Sequence, residues 1–533
     1  VRKSNYIVIY ITILFIAICL PSTPISQAQD RMPAKVILHG MDQSEAREIE
    51  SLVSREMARR HSPGLGVGVV RGDTLVFAGY FGWANIAKRE AVSESTLFRI
   101  GSISKTVTAI GLMQQYEKGK FSLDDDINNY LPRSLVFPPH PDTKPVTFRH
   151  LLTHTSGGGE FLSYRQIVMP GFGVVVRGEN YQPLENYLKF GMRTRIDPGQ
   201  DWAYCNYGFA FLGLALEKIA GEQFHEYMKR HVLDVLGMNE TAYHHDQRVL
   251  SHTAAGYKYK HGGFVEDPHK PTGITPAGSI YTNISDMGRY VIALLNGGRN
   301  AAGQCIKPET LDMMMKTQYT LDERQRGWGL GFEVYSNNRW GRRIVGHSGS
   351  IPWGFTSQML LVPGEKVGVY VFSNSMTYSP REIAWGVLKD VLDAHDEPLP
   401  KIPSQRDVWK KLVGYYGPRH RKLKSNMRLY MEGIGAYRVT IVGDQLKLIY
   451  LWKGKRKEMT LEQVSPGDSY FYRIMVEDRI LPEYIAFKRD KSGNIISIIP
   501  GGLNEYVRLG AVRRVNAKAV AVPGKILNRI SPF

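Results

Sequence analysis

Ser102 and Lys105 stand three residues apart at the start of a run with helical periodicity, Ser102 to Lys118, which puts both side chains on one face. A serine hydroxyl is nearly inert at neutral pH and needs a base within hydrogen-bond reach. A lysine amine serves when burial and nearby cationic character leave it neutral part of the time. Chance alone supplies a Ser-x-x-Lys roughly once or twice in a chain this long, so other residues must carry the case. Tyr204-Cys205-Asn206 follows a Pro198-Gly199 turn and precedes an apolar helical run, Tyr207 to Ala220. A phenol beside a lysine can shuttle a proton to a leaving group. The Asn206 amide can hold a substrate carbonyl and tether Lys105. His347-Ser348-Gly349 lies between two strand-like runs. Gly349 leaves room for the nucleophile's helix to meet a strand edge, and the backbone N–H groups of Ser102 and Ser350 form a candidate oxyanion hole. His347 is read as a donor to a substrate carboxylate or to Tyr204. The three pieces together describe serine acyl transfer, with Ser102, Lys105 and Tyr204 catalytic and Asn206, His347, Gly349 and Ser350 binding substrate.

Competing patterns fail on their own requirements. Gly346 to Ser350 lacks the fifth glycine and the strand-to-helix turn of a nucleophile elbow. The glycines at 64, 66 and 68 lack the strand-to-helix context of a dinucleotide site. His150 and His154, with Glu160 downstream, could be drawn as metal ligands, but Leu151 stands where a zinc hydrolase needs glutamate, so they read as a structural pair. Cys205 reads as a small residue packed behind the site.

Several elements must hold these groups. A helix over Glu45 to Arg60 precedes a hairpin, Gly64 to Val70 and Thr74 to Tyr80, across Arg71-Gly72-Asp73. Strands return at Arg343 to Gly346, Ser357 to Val362 and Val367 to Phe372, and a helix from Ser379 to Ala394 closes the unit. Strands at both ends with helices between predict an α+β fold: one antiparallel sheet with flanking helices and an inserted helical region. After Pro398, Pro400 and Pro403, short alternating runs begin at Met427 to Met431, Tyr437 to Val442 and Gln445 to Trp452. They continue at Met459 to Val464, Tyr470 to Met475, Tyr484 to Lys488 and Ile495 to Ile499, and predict a small all-β barrel. The expected division is 1–28 signal, 29–397 hydrolase domain, 398–404 linker, 405–512 barrel and 513–533 flexible tail.

The 533 residues, 43% hydrophobic and 22% charged, are ordinary for a globular chain of more than one domain. Arg2 and Lys3, the apolar run Tyr6 to Leu20 and Ser26-Gln27-Ala28 fit a secretory signal, with an uncleaved membrane anchor as the rival reading. Cleavage would leave Cys205 and Cys305, too few for a disulfide framework. The net charge of +18 is lopsided: from Lys401 onward 26 Lys and Arg face 11 Asp and Glu. In a chain without a nucleic-acid motif that favours an anionic envelope polymer or lipid surface, or simply a solvated basic face, over nucleic acid. Localisation is expected to be periplasmic or secreted.

The blocks Thr96 to Lys105, Arg149 to Gly157, Pro198-Gly199 with Tyr204-Cys205-Asn206, Pro276 to Ser279 and Gly346 to Gly349 resemble, in order, the serine β-lactamase and penicillin-binding protein superfamily. The likeness runs from about Pro63 to Asn374 and is to the class C-like branch that includes the S12 serine peptidases. It implies a β-lactamase/transpeptidase-like sheet, acylation of Ser102, proton movement by Lys105 and Tyr204, hydrolysis by water, and no metal or organic cofactor. His-x-Gly in place of Lys-Thr-Gly resembles DD-peptidases and D-aminopeptidases, so a small peptide, amide or ester is the implied substrate. A carboxylesterase or β-lactamase of the same fold, and a non-catalytic scaffold, are the alternatives. The barrel resembles the lipocalin-like modules of some members.

Overall fold

The computed structural model describes residues 32–159, 176, 181–396, 398, 400, 402–418, 437–452, 455–476 and 479–509. The signal and tail segments, the run Met427 to Met431 and Glu160 lie outside the described residues.

The first unit is built on one large antiparallel sheet. Its strands are β1 (Ala34–Leu38), β2 (Gly64–Arg71), β3 (Thr74–Asn85), β4 (Gly327–Trp328), β5 (Glu333–Arg339), β6 (Arg342–Ile351), β7 (Phe355–Val362) and β8 (Val367–Ser373). They lie in the order β1-β3-β2-β8-β7-β6-β5-β4, and Glu90–Ala91 pairs with β3 off that path. The two ends of the unit thus share a sheet, as expected, and β2 and β8 meet at its centre with Val369 opposite Val69.

Alternation along those central strands builds two cores. Leu65, Val67, Val69, Val369 and Val371 turn toward α1 (Gln43–Arg60) and α5 (Ser379–Val391), burying Ile49, Val53, Ile383 and Val387. Tyr370 and Phe372 turn the other way, into a larger core around α2 (Ser104–Glu117), α3 (Asn206–Ala220) and α4 (Ile284–Leu295). The alternating glycines find their reason here. A Cβ on Gly68 would stand 2.1 Å from the Tyr370 ring, and one on Gly66 2.7 Å from Ile284, so the glycines are seats for core side chains.

Beyond this unit a short helix, Arg406–Leu412, leads into a closed eight-stranded barrel. Its strands are Gly414–Pro418, Tyr437–Val442, Gln445–Trp452, Lys455–Ser465, Asp468–Val476, Arg479–Arg489, Ile495–Pro500 and Tyr506–Arg508. The interior is apolar, with Leu446, Leu448, Tyr472, Ile485 and Ile498 buried. Closure uses two strands that the alternation did not mark: Gly414–Pro418 pairs with both Tyr437–Val442 and Tyr506–Arg508.

The barrel docks on the loop before β4. Leu321 N–H donates to the Gly502 carbonyl at 2.9 Å, and Gln325 Nε2 donates to the Ile499 carbonyl at 3.1 Å. The Arg324 guanidinium sits 4.0 Å over the Phe471 ring. Gly502 has φ +87°, and a Cβ there would stand 2.2 Å from the Arg326 carbonyl oxygen. Gly502→Ala is therefore expected to cost about 2–4 kcal/mol, from left-handed strain plus a backbone clash. Thermal unfolding should show a Tm lowered by more than about 5 °C; an unchanged Tm would contradict this docking.

Candidate active site

Ser102 sits two residues before the helix predicted to begin with it. A 3-10 turn, Gly101–Ile103, carries it, and α2 begins at Ser104. Gly101 at φ +53° makes the chain turn in from Phe98–Arg99, and Ser104 Oγ donates back to the Gly101 carbonyl at 2.7 Å. The lead-in is pinned to the sheet as well, since Ser357 Oγ donates to the Ile100 carbonyl at 2.7 Å. Lys105, wholly buried, lies on the first turn of α2. Its Nζ donates to Ser102 Oγ at 3.0 Å, to Asn206 Oδ1 at 2.6 Å and to the Ala277 carbonyl. The same Nζ is 4.9 Å from the centre of the Tyr204 ring. Hydroxyl, amine, amide and phenol from two separate stretches of sequence therefore meet.

The Tyr204 loop is held by a segment that sequence reasoning treated only as structural. Gly199 N–H donates to the Thr155 carbonyl and Ala203 N–H to the His154 carbonyl, at 2.7 and 2.8 Å. Cys205 N–H donates to His154 Nδ1 at 3.2 Å, and the His154 ring lies 4.3 Å from that of Tyr204. His154 is thus a positioning residue for the phenol. His150 accepts the Thr147 N–H with Nδ1 at 3.2 Å as part of a helix cap. Cys205 is buried behind the loop.

His347, Ser348 and Gly349 are not between strands but inside the ten-residue β6. The pattern obscured this because Ser348 and Gly349 break the apolar alternation on a strand that pairs with β7 along one edge but, beyond the β5 pairing that ends at Gly346, meets a helix turn along the other. A Cβ on Gly349 would stand 2.0 Å from the Ile100 carbonyl oxygen, and one on Gly101 2.8 Å from the Ser350 nitrogen. That contact brings the Ser102 turn against the strand edge and places Ser102 and Ser350 in one cleft.

His347 differs from its expected role. Its Nδ1 lies 2.6 Å from the Ser348 carbonyl oxygen, which can only accept, so Nδ1 carries the proton. Burial, then the Lys105 charge, push the imidazole down to about 3, so the ring is neutral and Nε2 is an acceptor. With Nδ1–H given to the Ser348 carbonyl, Nε2 can take a hydrogen bond from a phenol or a substrate N–H. His154 is likewise held well below its ordinary value by burial and then by Lys105.

Both rings stay neutral in the folded chain, whereas the unfolded chain protonates near 6.5. For His347 the unfolded state binds more protons between 6.5 and about 3, and for His154 it does so from 6.5 downward, so stability is retained above 6.5 and lost as pH falls below it. Each ring contributes a slope of up to about 1.4 kcal/mol per pH unit. Denaturant unfolding at pH 7, 5.5 and 4.5 should show this loss, and His347→Gln should flatten it; equal slopes in both proteins would refute the assignment.

The cleft around Ser102 has a volume of about 940 Å3. Trp202 and Trp328, neither of which stood out in the sequence, wall it beside Tyr204, with the Trp328 ring 5.5 Å from His347. Glu483, Tyr484 and Gly501 of the barrel line it too.

The Beta-lactamase family profile matches residues 49–393. The chain belongs to the Beta-lactamase family. Among curated relatives, Penicillin-binding protein 4* of Bacillus subtilis is 23% identical over 432 residues, covering 75% of this chain and 90% of that protein. The Putative penicillin-binding protein PbpX of the same organism is 27% identical over 231 residues, 43% of this chain and 54% of that protein. Among solved structures, the octameric penicillin-binding protein homologue from Pyrococcus abyssi aligns over 88% of this chain and all of that one, with TM-score 0.57 and 26% identity. That alignment is too long for the family match alone and takes in the barrel region, so this Beta-lactamase family chain shares more than its catalytic unit with that homologue.

Proposed function

We propose that the chain is an exported serine hydrolase that forms an acyl-enzyme on Ser102 and hydrolyses a peptide, amide or ester. The observation that carries this is one buried amine, Lys105 Nζ, bound at once to Ser102 Oγ and Asn206 Oδ1. Ser102 Oγ bonds to the substrate carbonyl carbon as its proton passes to Nζ of Lys105 in the amine's neutral form, whose two hydrogens stay on Asn206 Oδ1 and the Ala277 carbonyl. The carbonyl oxygen takes up the negative charge between the N–H groups of Ser102 and Ser350. Collapse expels the amine or alcohol with the Tyr204 proton, which Lys105 then replaces; water attacks the acyl carbon as its proton passes to Lys105, and that proton returns to Ser102 Oγ as the acid leaves. Asn206 orients the amine and the substrate carbonyl, neutral His347 accepts a hydrogen bond from the phenol or substrate, and Gly349 keeps the edge open. No metal or organic cofactor enters any step.

His-x-Gly on the strand, together with relatives named as penicillin-binding proteins, supports a D-amino-acid-containing peptide as the first substrate to test. A panel of p-nitrophenyl esters, nitrocefin and D-amino-acid anilides on one preparation checks this. Turnover greatest on the D-anilides is expected; turnover confined to esters or to nitrocefin would move the assignment to an esterase or a β-lactamase, and none at all to a scaffold. Export is supported by the apolar start of the chain. The basic charge from Lys401 onward supports attraction to an anionic envelope polymer or lipid surface.

A further inference from the structure

The far end of the cleft, where the catalytic unit meets the barrel, is lined by arginines with unequal partners. Arg326 is bound by Glu333 at 2.7 Å, Arg381 by Glu483 of the barrel at 2.5 Å, and Arg324 by Asp322 at 2.6 Å. Arg339 is different. Its nearest carboxylate, Asp396, stands 3.5 Å away, and the two Asp396 oxygens already accept from Trp340 Nε1 and Lys389 Nζ at 2.9 Å. Arg339 Nε is buried with no hydrogen-bond partner among the described residues. Only 13% of its side chain is exposed, and the guanidinium is held 4.7 and 5.1 Å from the Trp340 and Trp385 rings. A largely desolvated guanidinium fixed by two indoles, with its counter-charge already engaged, is prepared for a planar anion. With Arg381 paired to Glu483, Arg339 is, among the described arginines of the cleft, the one whose nearest carboxylate is no closer than 3.5 Å.

Strand register gives the distance to the chemistry. Glu333 faces Gly346 and Arg339 faces Arg342, so Arg339 is level with a position five residues before His347 on β6. At ~3.3 Å per residue that is roughly 16 Å. An extended peptide covers this span in about four or five residues. Both ends belong to one continuous cleft.

We propose that Arg339 forms an anion subsite that recognises a carboxylate on an extended substrate, about four or five residues from the bond presented to Ser102. This rests on the acyl-transfer reading above for where the reacting bond lies, and deepens it by naming the substrate's charge and reach. Arg339 is a binding residue remote from the reacting atoms, and the barrel's Glu483 contributes by engaging Arg381.

The test measures binding calorimetrically on the Ser102→Ala protein, so that it does not depend on turnover. Three peptides are compared: N-acetyl-tetra-D-alanine with a free C-terminal carboxylate, N-succinyl-tetra-D-alanine amide, and the neutral N-acetyl-tetra-D-alanine amide. One of the two anionic peptides is expected to bind at least ten-fold more tightly than the neutral one. Arg339→Gln should reduce that preference below two-fold, and Arg339→Lys, which keeps the charge and loses the fork, should reduce it at least three-fold. The lysine variant decides the matter if the glutamine variant does not fold. Equal binding of all three peptides, no binding by any, or a preference untouched in these variants would overturn the proposal. Turnover of p-nitrophenyl acetate by the native chain, whose short acyl group cannot reach Arg339, reads the acyl-transfer assignment separately.

Discussion

Ser102→Ala is expected to abolish covalent labelling by a fluorescent penicillin or a fluorophosphonate and to lower kcat/KM on the best substrate by at least ~10^4-fold. Removal of Oγ removes the atom that must bond to the acyl carbon, and no neighbouring group replaces it. Lys105→Ala should come close, a loss of ~10^3-fold or more, because the amine that touches Oγ at 3.0 Å also holds Asn206. Lys105→Arg is the sharper form of the same experiment. Arginine preserves the charge but cannot give up a proton in a protein, so it should fail nearly as badly if the amine works as a base. Labelling and steady-state kinetics on folded variants decide between outcomes: labelling that persists in Ser102→Ala removes the nucleophile, and an active arginine variant reduces Lys105 to a structural cation.

Gly349→Ala should lower kcat/KM by more than ~100-fold and stability by about 2–4 kcal/mol, although the added methyl touches no reacting atom. A Cβ at this position would stand 2.0 Å from the Ile100 carbonyl oxygen and 2.2 Å from Ser357 Oγ. Ile100 and Ser357 are the pair whose hydrogen bond pins the Ser102 turn to the sheet. Relief of the overlap must push the turn from the strand, which separates Ser102 from Ser350 and opens the proposed oxyanion hole. Gly364→Ala is the control, since nothing lies within 4 Å of a Cβ there, and its kinetics should match the native chain. Similar behaviour of the two variants would mean that the strand and turn move freely past one another.

Much of this arrangement was legible because it depends on short-range pattern. The hairpin of β2 and β3, three further sheet strands β6, β7 and β8, and the helices after Ser102 and Tyr204 follow from alternation, turn residues and helical periodicity, whereas β1, β4 and β5 did not show in the pattern. Six barrel strands declared themselves in the same way. The strands Gly414–Pro418 and Tyr506–Arg508 did not, because they are short and owe their pairing to each other across about ninety residues of chain. His347 to Gly349 looked like a break in strand pattern because the edge there packs on a helix turn, where glycine is needed in place of an apolar side chain.

The sequence by itself determined the chemistry available: a hydroxyl and an amine one turn apart, a phenol and amide before a helix, and a glycine on a strand, each placed by local backbone preference. It also determined that the ends of the catalytic unit share one sheet, since strand pattern appears only there. Tertiary structure alone decided how those groups address one another. His154 became the support of Tyr204 through hydrogen bonds to a loop about fifty residues away. The Ser348 carbonyl, with burial beside Lys105, set which His347 nitrogen carries its proton. The barrel became a wall of the cleft, and Arg339 was left under-compensated at its far end. Proton position, burial and the balance of charge are properties of a surrounding built from distant segments. No window of sequence contains that surrounding.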